Sequence, residues 1–284
     1  MKQILILLSL VMGFTSASAQ SRTINVGDAT LSYELKGEGS PLVLIHGWAQ
    51  DMSIWDEQVP EFARHYRVIR YDRRGYGKST GYSDATADAE DLRLLLDSLG
   101  IRSAMLVGLS AGSRAALNFA VAFPDRVKAL VVYGQAVLPG FTPAPTGPTP
   151  VMMFRDIAQN NGLDSAGRAL MAHPLTWAPS DRPDVRARFA ALWKNYSGRD
   201  LLEPQPESGR VPHATVDQIA RLRVPTLVVS GDHDLPVFLA VGDTLVRRIP
   251  GAERLIISSA GHGAHFARPT QFNAGVLHFL EKVP

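Results

Sequence analysis

From Thr23 onward, short β-type runs alternate with longer helical patterns, and that rhythm restricts the chain to a sheet with crossover helices. The strands it predicts are Thr23 to Val26, Leu31 to Leu35, Leu42 to His46, Arg67 to Tyr71, Ala104 to Val107, Val127 to Tyr133, Thr226 to Ser230 and Arg254 to Ser258. Runs such as Leu42-Val43-Leu44-Ile45 and Leu227-Val228-Val229 are continuously apolar, as parallel strands buried on both faces must be. The first two strands, joined by Gly27-Asp28-Ala29, read as a hairpin. An eight-stranded, mixed but mostly parallel sheet is therefore expected, in the α/β class. Helical periodicity covers Asp51 to Ala63, Thr86 to Leu99, Ala111 to Phe123, Val237 to Arg248 and Pro269 to Glu281.

The rhythm breaks at Leu138-Pro139, where the proline-rich run to Pro150 can sustain neither a helix nor a central strand. From Val151 to about Pro212 the pattern is helical and rich in large apolar side chains, among them Phe154, Trp177, Phe189, Trp193 and Tyr196. Residues 139–212 are thus predicted to form an inserted helical cap between two parts of one core, 20–138 and 213–284. Before the core, Lys2, the apolar run Ile4 to Val11 and Ala17-Ser18-Ala19 read as a signal peptide over residues 1–19. The apolar stretch to Phe14, broken by Ser9, falls short of the roughly 20 residues that a membrane-spanning helix needs. Export to the periplasm or the outside follows as an expectation, with no membrane attachment once the leader is removed. The chain has no cysteine, so export leads to no disulfide. Lys and Arg number 29 against 27 Asp and Glu, without a long run of like charge, which argues against a nucleic-acid partner.

Val107-Gly108-Leu109-Ser110-Ala111-Gly112 contains G-x-S-x-G, a pattern that chance supplies in about one chain in ten of this length. Its context is what carries weight. An apolar strand ends at Gly108 and a helix begins at Ala111, the strand-turn-helix that exposes a nucleophilic serine. The glycines allow strand and helix to pack closely, and the helix N-terminus places the free amide of Ala111 beside a developing anion. A nucleophilic serine needs a base, and the base needs an orienting acid. Of eight histidines, His262 lies on a glycine-flanked loop past the last strand, with His265 as its rival, while His46 ends another strand. Asp232 and Asp234, in Ser230-Gly231-Asp232-His233-Asp234, both stand at a strand end, and one of them is expected to be a turn residue capping backbone amides. The pair His262 and His265 has metal-like spacing but no evident carboxylate or cysteine partner, and Gly77-Lys78-Ser79 lacks the glycine a phosphate loop requires.

Taken together, these residues resemble the α/β-hydrolase family from about Ile24 to the C-terminus, interrupted by the cap segment. His46-Gly47-Trp48 looks like the family's oxyanion loop, Asp72-Arg73-Arg74-Gly75-Tyr76-Gly77-Lys78-Ser79 like its Asp-x-Arg-Gly-x-Gly-x-Ser segment, and the order Ser110, Asp234, His262 like its triad. The resemblance implies the α/β-hydrolase fold and selects Asp234 over Asp232 and His262 over His265. It further implies an oxyanion hole from the amides of Trp48 and Ala111, a structural role for His46, and no cofactor or metal. Trp48 and Leu109 are candidates to line the substrate pocket, whereas Ile54 and Trp55 fit core packing better. Many relatives carry Gly-Gly after the serine where this chain has Gly112-Ser113. The expected activity is that of an exported serine hydrolase on a small to medium, largely apolar ester, lactone or related carbonyl compound. Perhydrolase or carbon-carbon bond hydrolase chemistry on the same triad is the alternative, and a non-catalytic ligand-binding protein on the same fold belongs to another class.

Overall fold

A computed structural model describes residues 21–134, 137–142, 149–203 and 209–283, so the leader expected over 1–19 lies outside the described residues. The eight strands are β1 (Arg22–Asn25), β2 (Thr30–Lys36), β3 (Pro41–Ile45), β4 (Arg67–Tyr71), β5 (Ala104–Leu109), β6 (Val127–Tyr133), β7 (Thr226–Gly231) and β8 (Glu253–Ile257). They form one sheet in the order β1-β2-β4-β3-β5-β6-β7-β8. β1 and β2 make the expected hairpin, turned at Gly27 with φ 81°. β2 is also antiparallel to β4, and every later pairing is parallel.

The helices are α1 (Val59–Phe62), α2 (Asp88–Ser98), α3 (Ala111–Ala122), α4 (Pro150–Asn161), α5 (Leu163–Ala172), α6 (Asp184–Asn195), α7 (Arg199–Leu202), α8 (Val216–Ile219), α9 (Pro236–Arg248), α10 (Ala264–Ala267) and α11 (Pro269–Leu280). Alternate residues of the central strands serve opposite faces of the sheet. On one face Val43, Ile45, Leu106, Val132 and Val228 pack with α2, α3 and α9 through residues such as Leu92, Phe119 and Leu245. On the other, Leu42, Leu44, Val107, Val131 and Val229 pack with Phe62 of α1 and with Phe272 and Val276 of α11. Each fully buried Val, Leu, Ile or Phe contributes about 1.5–3 kcal/mol, which makes this two-sided burial the main stabilising term.

The helix expected over Asp51 to Ala63 is divided in the structure into a 3₁₀ turn, Met52–Trp55, and α1. Pro60 has no amide hydrogen to donate to the carbonyl four residues earlier, at Asp56, so the hydrogen-bond ladder of one continuous helix is interrupted and residues 56–58 form a turn. The Asp51 carboxylate caps the first turn through the Ser53 amide at 2.8 Å. Between β6 and β7 the chain forms α4 to α8. α4 starts where Thr149 accepts from the Met152 amide and Pro150 occupies a position whose amide has no helical partner. Tyr196 and Leu201 from this segment pack with Ala49 and Tyr76, which follow β3 and β4. Among the described residues no helix is long and apolar enough to cross a membrane.

Candidate active site

The turn between β5 and α3 holds Ser110 at φ 54°, ψ −115°, a region that non-glycine residues seldom occupy. Tight packing holds that strained backbone in place. A Cβ on Gly108 would stand 2.5 Å from the Gly112 carbonyl oxygen, and one on Gly112 only 2.3 Å from that of Ile45. The Ser110 amide donates to the Tyr133 carbonyl at 2.8 Å, which ties the turn to β6. Ser113 adds to this tie. Its hydroxyl lies 2.5 Å from the Gly108 carbonyl and accepts from the Tyr133 amide at 2.9 Å, so the departure from Gly-Gly supplies a bridge between β5 and β6.

His262 follows β8, and both oxygens of Asp234, which follows β7, lie 3.1 Å from its Nδ1. An ionised carboxylate only accepts, so Nδ1 carries the proton and Nε2 is the free acceptor. Phe238 packs on the imidazole at 4.8 Å between centroids, and Gly134, at φ 54°, leaves the space that a Cβ 2.8 Å from Cε1 would fill. The Tyr133 hydroxyl donates to the His262 carbonyl and accepts from the Ala264 amide, clasping the loop on both sides of Gly263. Ser110 and His262 line one cavity of about 790 Å³. No hydrogen bond joins Ser110 Oγ to His262 Nε2 in this structure; hydrogen bonds between a nucleophile and its base are often long until substrate is bound.

Asp232 turns elsewhere. Its two oxygens accept the amides of Ser259 at 3.0 Å and Ala260 at 3.1 Å, so it caps the loop that leads to His262. His265 lies fully buried against Trp55, Tyr133 and Phe266, and among the described residues neither ring nitrogen has a hydrogen-bond partner. His46 is also fully buried. Its Nε2 accepts the Arg73 amide at 2.9 Å, which leaves Nδ1 to donate to the Gly47 carbonyl at 2.8 Å. The Gly47 amide donates to Gln50 Oε1 at 2.9 Å. Among the described residues, the amides of Trp48 and Ala111 have no acceptor in the protein. Gly47 brings this loop to the serine, because its Cβ would lie 3.3 Å from that of Ser110.

The Asp72 segment is structural. Asp72 accepts the amides of Met52 and Lys78 at 2.7 and 2.8 Å, and burial pushes its carboxyl up to about 6. Arg73 and Arg74 pair with Asp88 and Asp91 beneath the loop. Among the described residues no three His, Cys, Asp or Glu side chains are grouped as a metal would require.

Of the predicted pocket residues, Trp48 lines the cavity and Leu109 does not. Leu109 is 1% exposed and points into the same core face as Val107, two residues earlier in β5, because strand side chains alternate with period two. Ile54 and Trp55 are fully buried, as their place in the core predicts. The walls are apolar at Val151, Leu175, Phe189, Leu192 and Trp193, but Arg73, Arg114 and Arg155 also reach the cavity, together with the carboxylates Asp84, Asp200 and Glu203. Of these charged residues the inserted segment supplies Arg155, Asp200 and Glu203, which its helical periodicity did not reveal as cavity-facing.

Burial holds His46 and His265 neutral. It pushes His46 down to about 3, with the Arg73 charge adding to the effect, and His265 also to about 3, with His262 and Arg188 adding. The unfolded chain protonates each near pH 6.5, while the folded protein resists protonation until about pH 3. Their contribution to stability is therefore complete above pH 6.5 and lost as the pH falls toward 3. At pH 5 the cost is about 2 kcal/mol per histidine. Urea unfolding at pH 7 and pH 5 checks this: wild type should lose about 2 kcal/mol more than His265→Phe, and equal losses would contradict it.

A sequence model of the alpha/beta hydrolase fold family matches residues 40–269. The 2-hydroxy-6-oxononadienedioate/2-hydroxy-6-oxononatrienedioate hydrolase of Burkholderia vietnamiensis strain G4 is 32% identical over 286 residues, covering 93% of this chain and 97% of its own. Bromoperoxidase from Bacillus anthracis superposes with a TM-score of 0.78 at 26% identity, over 93% of this chain and 100% of that one. Est816, described as an N-acyl homoserine lactone degrading enzyme, superposes with a TM-score of 0.74 at 26% identity, over 91% of this chain and 100% of its own.

Proposed function

Because the chain belongs to the alpha/beta hydrolase fold family, we propose that it is a serine hydrolase of small to medium esters and lactones, with Ser110 as nucleophile, His262 as base and Asp234 as its orienter. The observation that carries this reading is the shared cavity: Ser110 on its strained turn and the unprotonated Nε2 of His262 face one space, with Asp234 fixing the tautomer. In the first step His262 Nε2 takes the proton as Ser110 Oγ bonds to the carbonyl carbon. The oxyanion is met by the Trp48 and Ala111 amides. One such donor is worth about 3–4 kcal/mol in the transition state. Collapse expels the alcohol, which takes the proton from His262, and leaves an acyl-serine. Water deprotonated by His262 then releases the acid and restores the serine.

A cavity of about 790 Å³ suits an acyl chain of moderate length. Est816 supports the lactone side of the reading, as a protein described as degrading acyl lactones. Carbon-carbon bond hydrolysis is the second reading, favoured by the relative named as a 2-hydroxy-6-oxononadienedioate hydrolase. Export, with residues 1–19 as leader and 139–212 as cap, completes the proposal and rests on the sequence pattern alone.

A substrate panel tests it. The folded protein should hydrolyse p-nitrophenyl butyrate and octanoate faster than the palmitate ester, and should open a medium-chain lactone. Cleavage of a vinylogous diketone without ester or lactone turnover would replace this reading with the second.

A further inference from the structure

Asp200, in α7, is a carboxylate only 8% exposed. Three neutral donors converge on it. Trp48 Nε1 donates to Oδ2 at 2.8 Å, the Tyr76 hydroxyl donates to the same oxygen at 3.2 Å, and the Tyr196 hydroxyl donates to Oδ1. They come from the loop after β3, the loop after β4 and the end of α6. Burying a carboxylate is costly unless its lone pairs are used, so this convergence fixes the four side chains relative to one another. The Trp48 indole is held further by stacking on Phe154 at 5.8 Å and by edge contacts with Trp193 and Tyr196 at 6.0 and 5.9 Å.

The same tryptophan carries the amide assigned above to the oxyanion hole. That amide shares a peptide plane with the Gly47 carbonyl, and in a trans peptide the two groups point in opposite directions. His46 Nδ1 holds the carbonyl end of the plane at 2.8 Å. That single hydrogen bond leaves the rigid plane able to pivot about the carbonyl contact, and anchoring the Trp48 side chain removes this freedom. Ala49, the next residue, has φ 56°, so the loop is strained immediately beyond the amide.

We infer that Asp200 is a positioning residue for catalysis: by gripping the Trp48 indole from the α4–α7 segment, it sets the aim of the Trp48 amide at the oxyanion. The inference rests on the serine-hydrolase reading for the amide's role. It makes activity depend on how the inserted helices sit over the core.

The test uses the full chain and the variants D200A, D200N and W48F, assayed with p-nitrophenyl butyrate and examined by the indole N–H signals of the four tryptophans. A misaimed donor weakens the transition state more than substrate binding, so D200A should lower kcat about tenfold to a hundredfold with KM changed less than about threefold. D200N keeps an acceptor oxygen and should recover most of the loss. W48F retains the backbone amide but loses the anchoring N–H. It should match D200A, with no further loss in the double variant, and it carries the test by itself if D200A fails to fold. Full kcat in D200A or W48F, a loss confined to KM, or additive losses overturn the inference. An unmoved Trp48 indole signal in D200A overturns the hydrogen bond itself. An inactive wild type with a normal indole signal overturns the hydrolase reading, and with it the positioning role.

Discussion

Ser110→Ala is expected to lower kcat for ester hydrolysis by about 10⁶-fold while leaving the protein folded. Removing Oγ deletes the atom that forms the acyl bond, so proximity, proton transfer to His262 and the covalent intermediate are lost together. The amides of Trp48 and Ala111 and the cavity survive, and they should leave a residual rate about 10³–10⁴ above water. Stability should change little. Alanine meets the same strain at φ 54° as serine, and among the described residues Oγ makes no hydrogen bond that the substitution would orphan. Thermal unfolding of the variant, measured beside its kcat, separates lost chemistry from lost structure. A folded variant that keeps even a hundredth of the wild-type kcat would contradict the assignment.

Asp234→Asn should cost about 10⁴-fold in kcat. The carboxylate accepts from His262 Nδ1, whereas a carboxamide turned to donate its N–H would require Nδ1 to be the acceptor and would leave the proton on Nε2. A protonated Nε2 is unable to take the proton of Ser110. The loss should therefore fall on kcat with KM nearly unchanged. Asp232→Asn is the matching control, since Asp232 caps the Ser259 and Ala260 amides and does not meet the imidazole. It should weaken the fold by about 1–2 kcal/mol and keep kcat within about tenfold. Equal losses in the two variants would show that the geometry at His262 has been misread.

Local features of the sequence announced the parts of the site that local physics builds. The serine turn was legible because an apolar strand, a glycine pair and a helix start stand within a few residues of each other. His46 was legible as a strand-end residue, and its buried double hydrogen bond explains why the loop needs a histidine. Asp232 and Asp234 were not separable by residue type, because both follow the same strand. What separates them is direction: one faces backbone amides, the other the imidazole 28 positions away. Leu109 was placed in the pocket because it adjoins Ser110, but the two-residue period of β5 turns it to the core. Tyr133 and Asp200 gave no signal. Each acts through partners remote in sequence, Asp200 through an indole 152 positions away, and such a contact exists only after the inserted helices have folded against the β3 and β4 loops. The arginines of the cavity were hidden for a related reason. A helical pattern shows which residues share a face, and not which faces enclose a space.

The central claim is that Ser110 is activated by the His262–Asp234 pair. Reaction of the folded protein with a fluorophosphonate probe, followed by mass mapping of the adduct, measures that most directly. The account predicts one adduct, on Ser110, absent from Ser110→Ala and formed at least about 10³-fold more slowly in Asp234→Asn. A folded wild-type protein that takes no label, or takes it on another residue, would contradict it.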